Sequence, residues 1–425
     1  MSKGKQLDTD VNRRRILRAA GALGATTFVG GHSLAALADH LTGLETITLP
    51  FINGERPLGQ FPEKRKLIVL TSRPPQLETP FSVFNEGAIT PNDAFFVRYH
   101  NANIFGNPPN GPQTIDANTF RLTVGGNVQL PLSLSITDLK TQFTPIEITA
   151  VCQCAGNSRG FFQPRVRGGQ WGNGGMGNAR WTGVPLRDVL NKAGVGATAV
   201  QVTFSGLDQP VLGSVPNFAK ALDVSLAMNG EVMLAYAMNG ADLPMLNGFP
   251  LRLVVPGYYA TYWVKHLNQI TVIDSVYDNF YMTTAYRIPN NDCACVPPGT
   301  TPSSTVPINR MNVRSFITSL QDGARLPMLP QLVKGIAFDG GTGILFVLFS
   351  DDEGVTWREA RLGPDLGKYS FRQWEIDFLP QRTGPFVLKT LAVSGACQVQ
   401  PFETRWNPPG YMRNNVESLR ISVVA

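Results

Sequence analysis

Ala150-Val151-Cys152-Gln153-Cys154-Ala155-Gly156-Asn157-Ser158-Arg159-Gly160 is an apolar run carrying two thiols that breaks into a loop of small residues holding an arginine. Read as chemistry, it places a soft metal ligand beside a cation suited to an anion. Gly156 would let backbone approach whatever the sulfur holds. Read as structure, both cysteines are buried strand residues, because a free cysteine packs as a small hydrophobe. Both readings stand on this stretch alone, and the residues around it decide between them.

Upstream, Asp93-Ala94-Phe95-Phe96-Val97-Arg98-Tyr99-His100 has the composition of a strand. A two-residue period puts Arg98 and His100 on one face, where they need an anionic partner, a structural carboxylate or solvent. Residues 39–425 contain only His40, His100 and His266, too few for a multi-histidine metal site. Downstream, Phe120 to Val124, Ile146 to Val151 and Val200 to Phe204 are strand-like, whereas Thr182 to Gly194 predicts a helix with proline near its first turn and glycine at its end.

From Pro289 to Pro307 the chain turns to proline, glycine, serine and threonine, the chemistry of a linker, and the length favours two domains. Beyond it, the runs at 335–341 and 343–350, the Asp/Gly turn at 351–354, Trp374 and Phe386 to Leu388 predict an antiparallel β-sandwich, with Cys397 alone and no cluster of ligands. There is no internal repeat.

At the amino end, Asn12-Arg13-Arg14-Arg15-Ile16-Leu17-Arg18 precedes a mildly apolar Gly/Ala-rich run ending in Ala36-Leu37-Ala38, the pattern of a twin-arginine export signal over residues 1–38. The expected location is therefore the periplasm. Cleavage there removes Lys3, Lys5, Arg13, Arg14, Arg15 and Arg18 against Asp8 and Asp10, lowering the formal charge from +6 to +2. Nothing in that remainder calls for nucleic acid or an acidic membrane surface, and no later run is long enough for a membrane span.

The residues quoted so far, with Met176-Gly177-Asn178-Ala179-Arg180-Trp181, Gly206-Leu207-Asp208, Tyr236-Ala237-Met238-Asn239-Gly240, Gly248 to Gly257 and Trp263-Val264-Lys265-His266-Leu267, resemble the sulfite oxidase family of molybdenum enzymes. Within it they are most similar to the bacterial periplasmic sulfite dehydrogenase branch. The resemblance runs from about Thr46 to the carboxyl end. It implies an α+β chain: a mixed α/β molybdopterin domain over residues 39–300, then an immunoglobulin-like dimerisation domain over residues 301–425, and hence a homodimer. It also implies one molybdenum–molybdopterin per chain.

By that match Cys154 is the protein ligand to molybdenum, while Cys152 has no role. Phe96, Val97, Arg98, Tyr99 and His100 fall on the cofactor-binding strand, and Asp208, Arg252, Trp263, Val264 and Lys265 resemble further pterin contacts. Asn247 stands where some relatives have histidine. Arg98 and Arg159 are the expected clamps for sulfite, with Trp171 as a pocket aromatic and Arg413 reaching in from the second domain. Tyr286 resembles the family's active-site tyrosine, acting with Cys154, Arg98 and His100. The implied reaction is oxygen-atom transfer from the metal centre to sulfite.

No Cys-x-x-Cys-His haem-attachment pattern occurs in the sequence. The expected electron acceptor is thus an external c-type cytochrome, either free or as a haem-bearing subunit. Rival readings are a periplasmic sulfoxide reductase on the same fold, a zinc- or disulfide-stapled binding protein using Cys152, Cys154, Cys293 and Cys295, and an inactive homologue.

Overall fold

The structure is a computed structural model that describes residues 45–101, 114–210 and 212–425, so the export signal and His40 lie outside the described residues. The decisive stretch begins as the strand Ile146–Gln153, paired antiparallel along its whole length with Met176–Pro185. Met233–Met238 flanks Met176–Pro185 on its other side and in turn pairs with Arg252–Val254. Ala150, Val151 and Cys152 are all fully buried. Covered on both faces, this half of the strand reads as a continuous apolar run, whereas Ile146 to Thr149 alternates and leaves Glu147 exposed.

Two more sheets complete the first domain. One orders Ala219–Asp223, Gln201–Gly206, Leu267–Ile273, Leu122–Gly126 and Leu132–Leu134, with a single parallel pair between Leu267–Ile273 and Leu122–Gly126. The other runs from Thr46–Thr48 through Glu55–Gly59, Leu67–Ser72 and Pro75–Glu78 to Val97–Arg98. The strand expected over Asp93 to His100 is therefore only two residues long, with Val97 opposite Leu77 and Arg98 opposite Gln76.

The helix expected over Thr182 to Gly194 starts later, at Leu186, and ends at Gly194 in the left-handed conformation with φ 69°. Thr182 to Pro185 are instead the end of the strand Met176–Pro185. A Cβ at Gly183 would lie 2.1 Å from the Leu234 carbonyl oxygen, so here glycine serves a close approach of two strands, and sheet pairing overrides the local helix-start signal. Leu186, Val189, Leu190 and Ala193 bury one face of the helix, as their spacing requires.

The Pro289 to Pro307 segment is tied at its base. Arg287–Pro289 pairs antiparallel with Thr305–Pro307, and Cys293 and Cys295 are joined in a disulfide within the excursion. Beyond it, a four-stranded sheet (Arg314–Ile317, Gln331–Phe338, Arg372–Phe378, Arg361–Leu362) and a five-stranded sheet (Ala324–Pro327, Ser418–Val424, Gly384–Ser394, Ile344–Ser350, Arg358–Glu359) form the sandwich. Val333, Val347, Phe349, Trp374 and Leu388 fill its core. Phe316, Phe338 and Phe371 belong to the larger core of the first domain, so the two domains share an apolar seam. The chain is α+β, and no helix among the described residues is long and apolar enough to cross a membrane.

Candidate active site

A pocket gathers residues from across the first domain. Phe96, Arg98 and His100 come from the short strand and its continuation, and Cys154 and Ala155 from the loop that ends Ile146–Gln153. Asn247, Arg252, Trp263, Lys265 and Tyr286 close the remaining walls. Nine of the residues singled out from the sequence thus meet in one cavity.

The two thiols part company here. Cys152 is fully buried, and Arg252 Nη2 lies 3.2 Å from its sulfur. Burial pushes its thiol up to about 11, despite the opposing Arg252 and Lys265 charges, so it stays protonated and packs. Cys154, one residue past the strand, lines the pocket and is 8 % exposed. Its backbone is pinned by the Cys154 N–H donating to Gly175 O at 2.8 Å and by its carbonyl accepting from Asn157 N–H at 2.9 Å.

Opposite it, His100 Nε2 and the Tyr286 hydroxyl share a hydrogen bond of 2.5 Å. Burial, reinforced by the Arg98, Lys265 and Lys220 charges, holds the imidazole well below its usual range, and His100 is neutral at physiological pH. Tyr286 sits at φ 58°, a left-handed conformation costing a tyrosine roughly 1–2 kcal/mol, which the surrounding contacts must offset. Its ring stacks on Tyr411 at 5.3 Å with an 11° interplanar angle. Burial raises the phenol above its ordinary value.

The far wall is basic. Arg252 lies over the rings of Trp181 and Trp263, at 5.2 and 5.7 Å, and donates to Asn247 O. Lys265 donates to Arg98 O at 2.8 Å and sits 4.3 Å from the centre of the Tyr99 ring. Burial pulls the Lys265 ammonium down and pushes the buried Asp208 carboxyl up, while each one's charge opposes the other's shift. The Asn247 side chain is spoken for: its oxygen accepts from Lys64 Nζ and its amide donates to Phe96 O.

Seven of the residues singled out do not line the cavity. Val97, Val264 and Tyr99 support it from behind as buried core, Tyr99 through a 2.6 Å hydrogen bond with His266 Nε2. Asp208 lies next to the basic wall, and Trp171 packs edge-on against Phe96 at 6.3 Å. Arg159 is one ring removed, 5.0 Å from the centre of Tyr411, with its Nε donating to Pro409 O. A Cβ at Gly156 would fall 2.7 Å from that guanidinium, so the glycine makes room for Arg159. Arg413 is paired with Glu417 at 2.6 Å, beside Arg314 and away from the cavity.

Sequence reading missed Phe218, whose ring stacks on His100 at 3.9 Å, and also Lys220, Tyr281 and Lys64. A lysine inside the apolar run Phe218-Ala219-Lys220-Ala221-Leu222 was a usable signal. Lys64, in a charged run, carried none.

Arg98 Nη1, His100 Nδ1 and Arg252 Nε, all on lining residues, are buried without a hydrogen-bond partner, as is Asp208 Oδ2. Buried polar atoms are rarely left so, and this set suits a bound group with phosphate oxygens and a polar ring edge. Among the described residues no three His, Cys, Asp or Glu side chains cluster as a metal site, so a metal at Cys154 needs ligands from a bound organic group. Cys293 and Cys295, bonded to each other, are unavailable for a four-cysteine zinc site. One soft sulfur, a basic cradle and orphaned polar edges fit the molybdopterin oxidoreductase site that the resemblance implies.

Comparison with known proteins agrees. Residues 109–281 match the family described as "Oxidoreductase molybdopterin binding domain", and residues 305–423 match "Mo-co oxidoreductase dimerisation domain". The chain is 32 % identical over 391 residues to the mitochondrial sulfite oxidase of Rattus norvegicus, covering 88 % of this chain and 69 % of that one. It is 30 % identical to the sulfite oxidase of Arabidopsis thaliana over 86 % of this chain and 97 % of the other. The sulfane dehydrogenase SoxCD of Paracoccus pantotrophus shares the fold, with a TM-score of 0.67 and 24 % identity over 97 % of this chain and 96 % of that one. The chain belongs to the sulfite oxidase family, and its cofactor is molybdenum–molybdopterin.

Proposed function

We propose that the enzyme oxidises sulfite to sulfate and passes the electrons, one at a time, to an external c-type cytochrome. It works in the periplasm after twin-arginine export, as a homodimer formed through residues 305–423. The observation that carries this reading is the meeting of Cys154, Arg98, His100 and Tyr286 in one buried pocket. The names of the rat and Arabidopsis relatives support the substrate. Per turnover, sulfite and water give sulfate, two protons and two electrons.

Cys154 would hold the molybdenum centre, which would supply the oxygen-atom and electron-pair chemistry. This chain's residues supply the rest. Arg98, with Nη1 unpartnered, offers its cation and a free N–H to an oxyanion. The Tyr286 hydroxyl is a second polar contact for a substrate oxygen, and His100, kept neutral, can accept a proton at a ring nitrogen. Arg159 adds positive potential from behind Tyr411 and Tyr286. Arg413, engaged by Glu417, is left out of this set.

The test is metal analysis of the exported protein together with sulfite-dependent reduction of cytochrome c. Molybdenum near one per chain with turnover supports the reading. Molybdenum with sulfoxide reduction and no sulfite turnover would overturn it.

A further inference from the structure

Lys220 is fully buried in the strand Ala219–Asp223, and its one hydrogen bond among the described residues goes to a neutral acceptor, Tyr281 O, at 2.6 Å. Among the described residues no carboxylate is within ion-pair distance of it. Its ammonium lies 4.6 Å from the centre of the Tyr262 ring and 5.4 Å from that of Tyr286. Phe218, two residues earlier and so on the same side of the chain, stacks on His100 at 3.9 Å. One edge of sheet thus presses an aromatic ring against His100 and a cation against its partner Tyr286. Tyr281 closes the cluster, with its ring 5.0 Å from His100.

Such a lysine is expensive to keep. An ammonium removed from water without a carboxylate loses more hydration than one carbonyl and two ring faces return. Burial accordingly pulls Lys220 down to about 7, with Arg287 adding repulsion. Arg98 and Lys265 are the other charges bearing on His100. A methionine of similar length would fill the same space without that cost, so packing does not explain the residue.

We infer that Lys220 is a positioning residue for the Tyr286–His100 pair: its side chain, anchored by Tyr281 O and Tyr262, fixes the Tyr286 ring against His100. The inference rests on the proposed role of Tyr286 in sulfite turnover and adds to it a residue that no hydrogen bond to the substrate pocket reveals.

The experiment uses molybdenum-loaded Lys220→Met and Lys220→Arg enzymes. For Lys220→Met we expect an unchanged or higher melting temperature, unchanged molybdenum content, kcat for sulfite lowered about tenfold and KM within about twofold. Lys220→Arg should recover most of kcat. In nitrogen-15 histidine spectra, His100 of Lys220→Met should gain imidazolium at the acid end, because loss of a nearby cation raises its pKa. Two results would overturn the inference: kcat and His100 spectra that match the wild type, or a melting temperature that falls together with activity, which marks a structural lysine. Tyr286→Phe separates the two proposals. If it turns over sulfite normally, the role of Tyr286 fails, while the His100 spectra still decide the role of Lys220.

Discussion

The pocket and the Asp339 turn of the sandwich use buried polar groups in opposite ways. At that turn and beside Trp374 they are consumed locally: Asp339 accepts from the backbone N–H groups of Gly341, Thr342 and Gly343 at 2.9–3.1 Å, and Trp374 Nε1 donates to Ser315 Oγ at 3.0 Å. In the pocket, Arg98, His100 and Arg252 each keep a buried nitrogen without a partner. A satisfied polar group stabilises a turn, whereas an unsatisfied one is a standing cost that a bound group can remove. Arg314, Arg372 and Arg413 in the second domain also keep unpartnered nitrogens, and what sets the pocket apart is that its set lines one cavity with Cys154.

The largest expected effect lies in the two thiols. Cys154→Ser should lower sulfite turnover by at least about a thousandfold, while Cys152→Ser, which loses only packing and a contact to Arg252, should stay within a few-fold. Equal loss in both would erase the distinction between ligand and core. Next is Arg98→Gln, expected to raise the sulfite KM about tenfold through loss of a charge-assisted contact; an unchanged KM would remove Arg98 from the oxyanion site.

On the scaffold side, Asp339→Ala should cost about 2 kcal/mol of stability through its turn bonds and leave the sulfite KM unaltered. A shift in KM without a change in melting temperature would break the division of labour. The smallest effect concerns Lys64, whose ammonium burial pulls down to about 7 from its ordinary value of 10.5. Between those pH values the unfolded chain binds the proton and the folded one does not, so this group makes stability rise with pH across that window. Lys64→Met should flatten that rise in a melting series from pH 7 to 10; an identical slope would mean the charge is not buried in solution.

The same contrast decides what was legible in the sequence. The sandwich could be read from local chemistry, because Asp/Gly turns and apolar strands report on their own neighbourhoods. In the first domain the strands Ile146–Gln153 and Gln201–Gly206 were equally plain, whereas the Asp93 to His100 segment shrank to two paired residues. Cys154, Arg98 and Tyr286 were found through resemblance, since nothing local says that residues 98, 154 and 286 meet. The place of Arg159 behind Tyr411 depends on how loops from both domains pack, which no spacing reveals.

The most direct test of the central claim is X-ray absorption at the molybdenum edge on wild-type, Cys154→Ser and Cys152→Ser proteins loaded with cofactor. The account predicts one sulfur ligand fewer in Cys154→Ser alone. A full sulfur shell in Cys154→Ser, or a lost sulfur in Cys152→Ser, would contradict it.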